Sequence, residues 1–249
     1  MDSLTERRSP SDPGPGGRAE LARALARRLE GALPPALEGL GTPLERADWL
    51  VVDVETTGLG RACEITEIGA LRMRGTQVVD EFEELVRPSA PIPPFIEKMT
   101  GITTDMVAGA DPVQAVYPRF AAWAGAGAPG RVLVAHNADF DMGFLARAAR
   151  ACSMPWRTPP SVDTLSLARL ALPRPVVVNH RLGTVARYFR TATAPGHRAL
   201  GDARATAEIL LGFIDLLAGA GATDVEDLIA LTDQAPARRP TTPDFVADL

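Results

Sequence analysis

The stretch LVVDVETTG, residues 50–58, constrains the fold of this chain more than any other segment. Its aliphatic residues are typical of an interior strand, but Asp53 and Glu55 carry carboxylates. Because side chains alternate across a strand, both acids point to the same side, about 7 Å apart. Two like charges beside a hydrophobic core lose hydration and repel each other, so the pair requires a compensating group.

Two later segments contain acids that could complete a cation site. HNADFD, residues 136–141, ends a predicted buried strand and starts a helix, and HRALGD, residues 197–202, opens another helix. Asp141 and Asp202 could therefore face the first strand from different elements. Mg²⁺ and Mn²⁺ favour carboxylate oxygens, and two such ions about 4 Å apart can activate water and stabilise the leaving oxygen of a phosphodiester. Each signal alone is modest, but their joint occurrence indicates a metal-dependent site.

The net charge of −5 at first argues against a nucleic-acid partner. However, residues 45–111 contain 13 acids and 6 bases, and residues 131–204 contain 11 arginines and 4 acids. An acidic part beside an arginine-rich part predicts a metal site next to a track that binds phosphates. The alternative is a solvated surface with unevenly distributed charge.

The remaining bulk features favour a cytoplasmic globular protein. Hydrophobic residues make up 46% of the 249 residues and charged residues 23%, which is ordinary for a globular chain. Cys63 and Cys152 follow no metal-site or redox spacing and are predicted to be free thiols. The sequence has no signal-peptide pattern and no apolar run of about 18 residues, so no membrane association is expected.

The order of the predicted elements indicates an α/β fold with a mixed sheet flanked by helices. Strands at 49–55, 64–75 and 77–88 follow one another closely and predict an antiparallel meander. A further buried strand is predicted at 132–137, and a brief one begins SVDTLSLARLAL. Helices are predicted near 94–99, 112–124, 141–150, 164–172, 181–190 and 202–218.

Composition divides the chain into three parts. Residues 1–46 are predicted to be an N-terminal extension, disordered over 1–17 and helical over 18–30, where leucines recur at every fourth position. Residues 47–218 are predicted to form the main domain. Residues 219–249 are predicted to comprise a C-terminal helix and a Pro-rich flexible tail.

Three motifs carry a resemblance to a known family. DVETTG, HNADFD and HRALGDA resemble the three exonuclease motifs of the DEDDh (DnaQ-like) group, which includes the proofreading epsilon subunit of bacterial DNA polymerase III. MTGITTDMVAGA also resembles a segment of the exonuclease domain built into some Gram-positive replicative polymerases. The resemblance covers roughly residues 48–216. It implies a ribonuclease-H-like fold and 3′→5′ removal of nucleoside monophosphates from a single-stranded end, with two Mg²⁺ or Mn²⁺ ions.

The resemblance also implies roles for individual residues. The family's four metal ligands fall on Asp53, Glu55, Asp141 and Asp202, and its general base falls on His197. In this scheme Asp53 bridges both ions, Glu55 and Asp202 hold the ion that binds the attacking water, and Asp141 helps to seat the second. Relatives of the tyrosine type would have Tyr at the position of Arg198, so the histidine class fits.

Five motif residues are candidates for contact with the substrate: Thr56, Thr57, Gly58, Asn137 and Phe140. Each has a simpler explanation, namely a turn at the exit of the strand for the first three, a helix cap for the asparagine and the core for the phenylalanine.

Three other polar residues have two possible explanations each, and a fourth has one. Glu67 could support the site from the second strand or be a satisfied polar residue. Arg198 and Arg204 could bind phosphate or be solvated charges on a helix. Asp163 is predicted to cap a helix.

The leading hypothesis is a metal-dependent 3′→5′ exonuclease that acts on single-stranded DNA 3′ ends in replication or repair, with a role as a polymerase subunit as one candidate context. An exoribonuclease or oligoribonuclease is the alternative, because discrimination between the sugars depends on contacts to the 2′-OH. A catalytically silent binding subunit is disfavoured because all five catalytic positions are filled. A dinucleotide-binding enzyme is disfavoured because no G-x-G-x-x-G follows a strand.

Overall fold

The computed structural model describes residues 14–29, 41–125 and 130–234. The strands are β1 (Asp48–Thr56), β2 (Ile65–Arg74), β3 (Gln77–Leu85), β4 (Arg131–Ala135) and β5 (Ser161–Asp163). The helices are α1 (Gly14–Leu29), α2 (Pro94–Thr100), α3 (Thr104–Ala108), α4 (Val113–Ala124), α5 (Ala138–Ala151), α6 (Thr164–Ala171), α7 (Leu182–Phe189), α8 (Ala199–Ala218) and α9 (Val225–Gln234).

The five strands form one mixed sheet in the order β3-β2-β1-β4-β5. β1, β2 and β3 are antiparallel neighbours, because the connections between them are too short for a crossover. β4 and β5 run parallel to β1 and are reached through helices. The predicted fold class, an antiparallel meander extended by parallel strands and flanked by helices, is confirmed.

Both faces of the sheet are buried, and β1 contributes to both cores. Trp49 and Val51 pack in the core that contains α8, whereas the alternate residues of β1 pack against α4 and α5. Asp53 and Glu55 continue the row of Trp49 and Val51 along the strand. The two acids therefore point toward the side of the sheet that α8 covers.

The N-terminal end of α8 lies directly against β2. A Cβ atom added to Gly69 would come within 2.1 Å of the Leu200 backbone nitrogen. Only glycine at this position permits such close approach, and the first turn of α8 is thereby held near the end of β1.

Two helix predictions require correction, and one helix was missed. α1 begins at Gly14 instead of residue 18, since Pro15 is tolerated in a first helical turn, where its missing N–H is not needed. α8 begins at Ala199 instead of residue 202. α3 was not predicted; it is five residues long, and Thr103 caps it by accepting a hydrogen bond from the amide of Met106.

The terminal helices pack on the same core. Leu25 and Leu29 of α1 are buried in the core that contains α8, and Arg28 Nη1 donates to the Leu170 carbonyl at 3.0 Å. Residues 14–17 were predicted to be disordered but belong to α1, whereas residues 1–13 and the predicted flexible tail at 235–249 lie outside the described residues. No helix in the described ranges has the length and apolar character needed to span a bilayer.

Candidate active site

The sequence-predicted acids lie together at the carboxyl end of β1, in a groove of about 690 Å³. Asp53 and Glu55 enter the groove from β1, and Asp141 enters from the first turn of α5. Asp202 comes from the first turn of α8, and His197 from the loop just before that helix. Three separate parts of the fold therefore converge on one place.

Short contacts tie these elements to one another. Glu55, His197 and Asp202 each offer one ligand atom, and these three atoms lie within 4.8 Å of one another. Asp141 Oδ1 accepts a hydrogen bond from the amide of Val54 at 3.1 Å. Since Val54 lies between Asp53 and Glu55, this bond fixes α5 to the acidic end of β1.

Burial raises the pKa of every acid in the cluster, and the charges of neighbouring carboxylates add to the increase. Burial raises the pKa of Asp53 most, and the charges of Asp141, Glu55 and Asp202 raise it further. Burial, followed by the charges of Asp202, Glu67 and Asp141, raises the pKa of Glu55 from 4.5 to about 8. The protein alone thus disfavours four negative charges here, and positive charge brought into the groove would stabilise them.

The pKa values of the other two acids are also raised, but hydrogen bonds oppose the increase. Burial raises the pKa of Asp141, and the bond from Val54 lowers it. Burial likewise raises the pKa of Asp202, while the amide of Gly196 and the nearby His197 lower it. Both carboxylates are therefore partly stabilised in their charged form by groups of the protein.

His197 is exposed in the groove and is held in an uncommon backbone conformation. Its φ is 58°, a left-handed value that residues other than glycine seldom adopt. The amide of Gly196 donates to Asp202 Oδ1 at 2.8 Å and thereby fixes the loop beside the acids. Such strain is found where the surrounding structure determines the position of a side chain.

Glu67 anchors the segment that follows His197. This glutamate is fully buried on β2, in register with Glu55 on β1. Arg198 Nε lies 3.1 Å from both of its carboxylate oxygens, and the amide of Ala199 donates to Oε2 at 2.8 Å. The glutamate thus supports the site from the second strand, and Arg198 is an ion-pair partner, not a solvated charge.

Arg204 forms a comparable pair in a more exposed place. Its Nε donates to Glu81 Oε1 at 3.0 Å, and the two side chains are 45% and 39% exposed. In the pair of Arg198 with Glu67 the corresponding values are 44% and 0%. The two pairs share their chemistry and differ mainly in the burial of the glutamate.

This difference predicts unequal effects on stability. Glu67→Gln is expected to lower the free energy of unfolding by about 1–3 kcal/mol, because a buried, charge-assisted contact to Arg198 and Ala199 is weakened. Glu81→Gln is the matched control and should cost less than about 1 kcal/mol, as exposed ion pairs do. Urea unfolding of both variants measures the difference, and equal losses would contradict an anchoring role for Glu67.

The candidate substrate contacts divide into two groups. Thr56, Asn137 and Phe140 line the groove. Thr57 and Gly58 lie beside it without lining it. Thr57 is engaged at the exit of the strand, where its amide donates to the Glu64 carbonyl at 2.8 Å and its hydroxyl accepts from the Glu64 amide at 3.0 Å.

Asp163 orders the segment behind the groove. Its Oδ1 accepts from the amide of Leu165 at 3.0 Å, so the predicted helix cap is confirmed. The same oxygen accepts from the amide of Asn137 at 2.8 Å. Asn137 has a φ of 87°, a left-handed value, and Asp163 stabilises this turn from β4 into α5.

His136 supports a neighbouring wall of the groove. Burial lowers its pKa, which favours the neutral imidazole. Nε2 lies 2.8 Å from the His180 carbonyl and Nδ1 lies 2.9 Å from the Thr164 hydroxyl. A neutral ring with its proton on Nε2 donates to the carbonyl and accepts from the hydroxyl, so His136 holds the loop before α7 in place.

The sequence reasoning missed part of the groove wall. Asn179, His180 and Arg181 line it from the loop before α7, and Met99 lines it from α2. These residues belong to no recognisable motif. Their proximity to the acids follows from the packing of α2 and α7, so no local signal could have identified them.

Comparison of the sequence with models of known protein families identifies the family of this chain. The family model described as "Exonuclease" matches residues 50–210, which include every acid of the groove. The chain belongs to this exonuclease family. The expected exonuclease family is confirmed, as is the expected enzyme class, an exonuclease that hydrolyses phosphodiester bonds.

Two relatives resemble this exonuclease over most of its length. A Mycobacterium tuberculosis protein, provisionally named a bifunctional exonuclease/endonuclease, is 43% identical over 217 residues, which are 84% of this chain and 32% of that protein. The PolC-type DNA polymerase III of Listeria monocytogenes is 39% identical over 183 residues, 73% of this chain and 12% of that protein. The chain thus spans only a minor part of both relatives.

A solved structure agrees with the fold. Exonuclease X, in complex with 5′ overhanging duplex DNA, is 28% identical and superposes with a TM-score of 0.55. The match covers 74% of this chain and 99% of exonuclease X. Nearly the whole of that nuclease therefore corresponds to the sheet and helices that surround the groove.

Proposed function

We propose that this exonuclease removes nucleoside 5′-monophosphates from the 3′ ends of single-stranded DNA. The observation that carries the proposal is the convergence of four carboxylates and His197 in one groove. DNA is favoured over RNA because the relatives include DNA polymerases and the similar solved structure contains DNA.

The donor set fits divalent cations. Among the described residues, no protein group donates a hydrogen bond to the carboxylates of Asp53 and Glu55. Four clustered carboxylates whose pKa values are raised by burial and mutual repulsion are what a hard cation with oxygen ligands would stabilise. We infer that Asp53, Glu55, Asp141 and Asp202 hold two Mg²⁺ or Mn²⁺ ions.

When bound, such ions activate a water molecule and stabilise the charge on the leaving oxygen of a phosphodiester. The residues of the chain orient the substrate and move the proton. His197 is the general base: its imidazole accepts a proton from the attacking water, since a neutral histidine is suited to this task near neutral pH. The contact between Asp202 Oδ1 and the Gly196 amide keeps this loop at the acids.

The terminal nucleotide is proposed to lie between β1 and α5. Thr56 lines the groove and its hydroxyl donates to the Gly58 carbonyl at 2.8 Å, which keeps the exit of β1 in place. Asn137 offers its side-chain amide, and Phe140 offers an aromatic face on which a base can stack. Thr57 and Gly58 contribute by shaping the backbone of this exit.

The wider context is also a proposal. Residues 47–218 would form the catalytic domain, which agrees with the family match to 50–210, between an N-terminal extension and a C-terminal segment. A cytoplasmic location and association with a DNA polymerase in replication or repair are consistent with the PolC-type relatives.

Digestion of matched single strands tests the proposal. DNA and RNA oligonucleotides of one sequence, labelled at the 3′ or the 5′ end, are incubated with Mg²⁺, Mn²⁺ or a chelator. We expect 3′-labelled DNA to release labelled mononucleotide at once, 5′-labelled DNA to shorten stepwise, and the chelator to stop both reactions. Faster digestion of RNA would establish the alternative exoribonuclease, and digestion from the 5′ end would overturn the proposal.

A further inference from the structure

A second cavity, of about 330 Å³, lies beside the active-site groove and has an excess of positive charge. Arg61, Arg87 and Arg147 line it, and this cavity is called the arginine cavity below. Glu64 is the acid among its lining residues, and its Oε2 is engaged by the amide and hydroxyl of Ser89 at 2.8 and 2.6 Å. Within the described ranges, none of the three arginines forms an ion pair, unlike Arg198 and Arg204.

Arg147 is the most constrained of the three. Its guanidinium carbon lies 4.0 Å from the centroid of the Phe144 ring, and its Nη1 donates to the Gly143 carbonyl at 3.2 Å. Its Nη2 is buried and has no acceptor among the described residues. A buried charged donor without an acceptor is unfavourable, and an anionic oxygen in the cavity would be a suitable partner.

The N-terminal end of α4 adds further positive potential. Pro112, Val113 and Gln114 line the cavity where this 12-residue helix begins. The amides at the start of a helix and its dipole favour anions. Together with arginine forks, which match the geometry of phosphate oxygens, they make phosphate the anion that best fits the cavity.

The cavity and the groove are neighbours along two elements. The segment after β1 runs from one to the other, because Leu59 lines the groove and Arg61 lines the cavity. Along α5, Phe140 lines the groove and Phe144 lines the cavity, and their ring centroids are 4.9 Å apart. A polynucleotide whose 3′ end occupies the groove can therefore extend along α5 toward the arginines.

We propose that the arginine cavity binds a phosphate of the substrate strand upstream of the terminal nucleotide. The proposal rests on the proposed function, because the strand reaches the cavity only when its 3′ end lies in the groove. The contact makes no difference to a dinucleotide and adds affinity for longer strands. A free anion, either inorganic phosphate or the released mononucleotide, is the other possible source of the same chemistry.

The test is a binding measurement in chelator, so that no hydrolysis occurs. Arg61→Gln and Arg147→Gln are compared with Arg46→Gln, an exposed arginine at the opposite end of β1, for a dinucleotide and a strand of about 16 nucleotides. Each cavity variant is expected to bind the long strand about fivefold more weakly and to reduce the slope of log K against log salt by about 0.7. The dinucleotide should bind all variants equally, and Arg46→Gln should behave like the parent.

The binding results show whether the cavity binds a phosphate of the strand, a free anion or neither. Equal weakening at both lengths, or none at either, would overturn the proposal for the cavity. In a second arm, the Nε–H resonance of Arg147 is followed during titration with inorganic phosphate or a nucleoside monophosphate. Saturation by either ligand with no response to the long strand would assign the cavity to a free anion and reject the strand.

A hydrolysis assay distinguishes failure of the inference about the arginine cavity from failure of the proposed function. If the parent fails to bind or cut any strand, the proposed function is wrong. If the parent digests DNA and the cavity variants bind like Arg46→Gln, only the inference about the cavity is wrong. Arg61 is exposed and has no ion pair in the described chain, so Arg61→Gln remains informative even if Arg147→Gln does not fold.

Discussion

Asp53→Asn is expected to slow nucleotide release by about 10³-fold or more, because a cation ligand contributes several kcal/mol to stabilisation of the transition state. Burial raises the pKa of Asp53 most, and the charges of the three other acids of the cluster raise it further. Asparagine retains the shape of the side chain and removes its charge. The initial rate of mononucleotide release from single-stranded DNA measures the effect.

The same variant is expected to be more stable than the parent when a chelator removes the cations. Burial and repulsion raise the pKa of Asp53 in the folded protein, so its ionisation destabilises the fold at high pH. At low pH the Asp53 carboxyl is protonated in both the folded and the unfolded state, and the parent keeps its full free energy of unfolding. Part of this free energy is lost as the pH rises through the pKa that Asp53 has in the folded state. Asparagine does not ionise, so the advantage of the variant should grow with pH.

The raised pKa of Glu55 sets the pH range over which this measurement is made. Its pKa is raised from 4.5 to about 8, so the parent should continue to lose stability across that interval in chelator. Urea unfolding of the parent and Asp53→Asn across the interval measures both curves. Parallel curves would contradict a raised pKa for Asp53, and activity of Asp53→Asn within tenfold of the parent would exclude Asp53 as a ligand.

Asp139→Asn is the matched control. Asp139 also lines the groove and lies two residues from Asp141, but its side chain is exposed. The substitution removes one negative charge from the same wall and leaves the buried cluster intact. We expect a change in rate of less than about threefold, as for exposed polar substitutions, and no gain in stability with pH.

The pattern of the sequence predicted the strands and the shared side of Asp53 and Glu55, because both depend on local alternation. Asp53 and Glu55 interrupt a row that is otherwise apolar, and this interruption is visible without knowledge of the fold. Asp141 and Asp202 were found because each stands where a helix begins, and the first turns of α5 and α8 point toward the same end of the sheet.

The role of Arg198 could not be predicted in the same way. The sequence left two explanations open, phosphate binding and a solvated charge, and the structure supports neither. Its partner Glu67 lies 131 positions earlier in the chain. The contact requires that β2 pair with β1 and that α8 lie against Gly69, and these are consequences of register and packing.

The arginine excess of residues 131–204 predicted the proposed phosphate-binding surface only in part, because contacts between distant elements again decide the outcome. Arg198 and Arg204 lie in that range but are paired with glutamates of β2 and β3. Arg61 and Arg87 lie outside the range, yet they share a cavity with Arg147. Net charge along the chain does not reveal which cations are neutralised, because ion pairs form between distant strands and helices.

His197→Ala is expected to slow nucleotide release by about 10²–10⁴-fold, the usual contribution of a general base. The structure also permits another role, since His197 lies within ligand distance of Glu55 and Asp202 and could itself bind a cation. Removal of a base leaves cation affinity unchanged, whereas removal of a ligand weakens it. The rate alone cannot distinguish these roles.

Titration of the parent and His197→Ala with Mn²⁺, followed by calorimetry, separates the two roles. We expect equal Mn²⁺ affinity for the parent and His197→Ala, together with the loss of rate. His180→Gln is the control, because His180 lines the same groove and its Nε2 is engaged with the Leu172 carbonyl at 2.9 Å. A tenfold or greater loss of Mn²⁺ affinity in His197→Ala would make this histidine a ligand and would contradict its role as the general base.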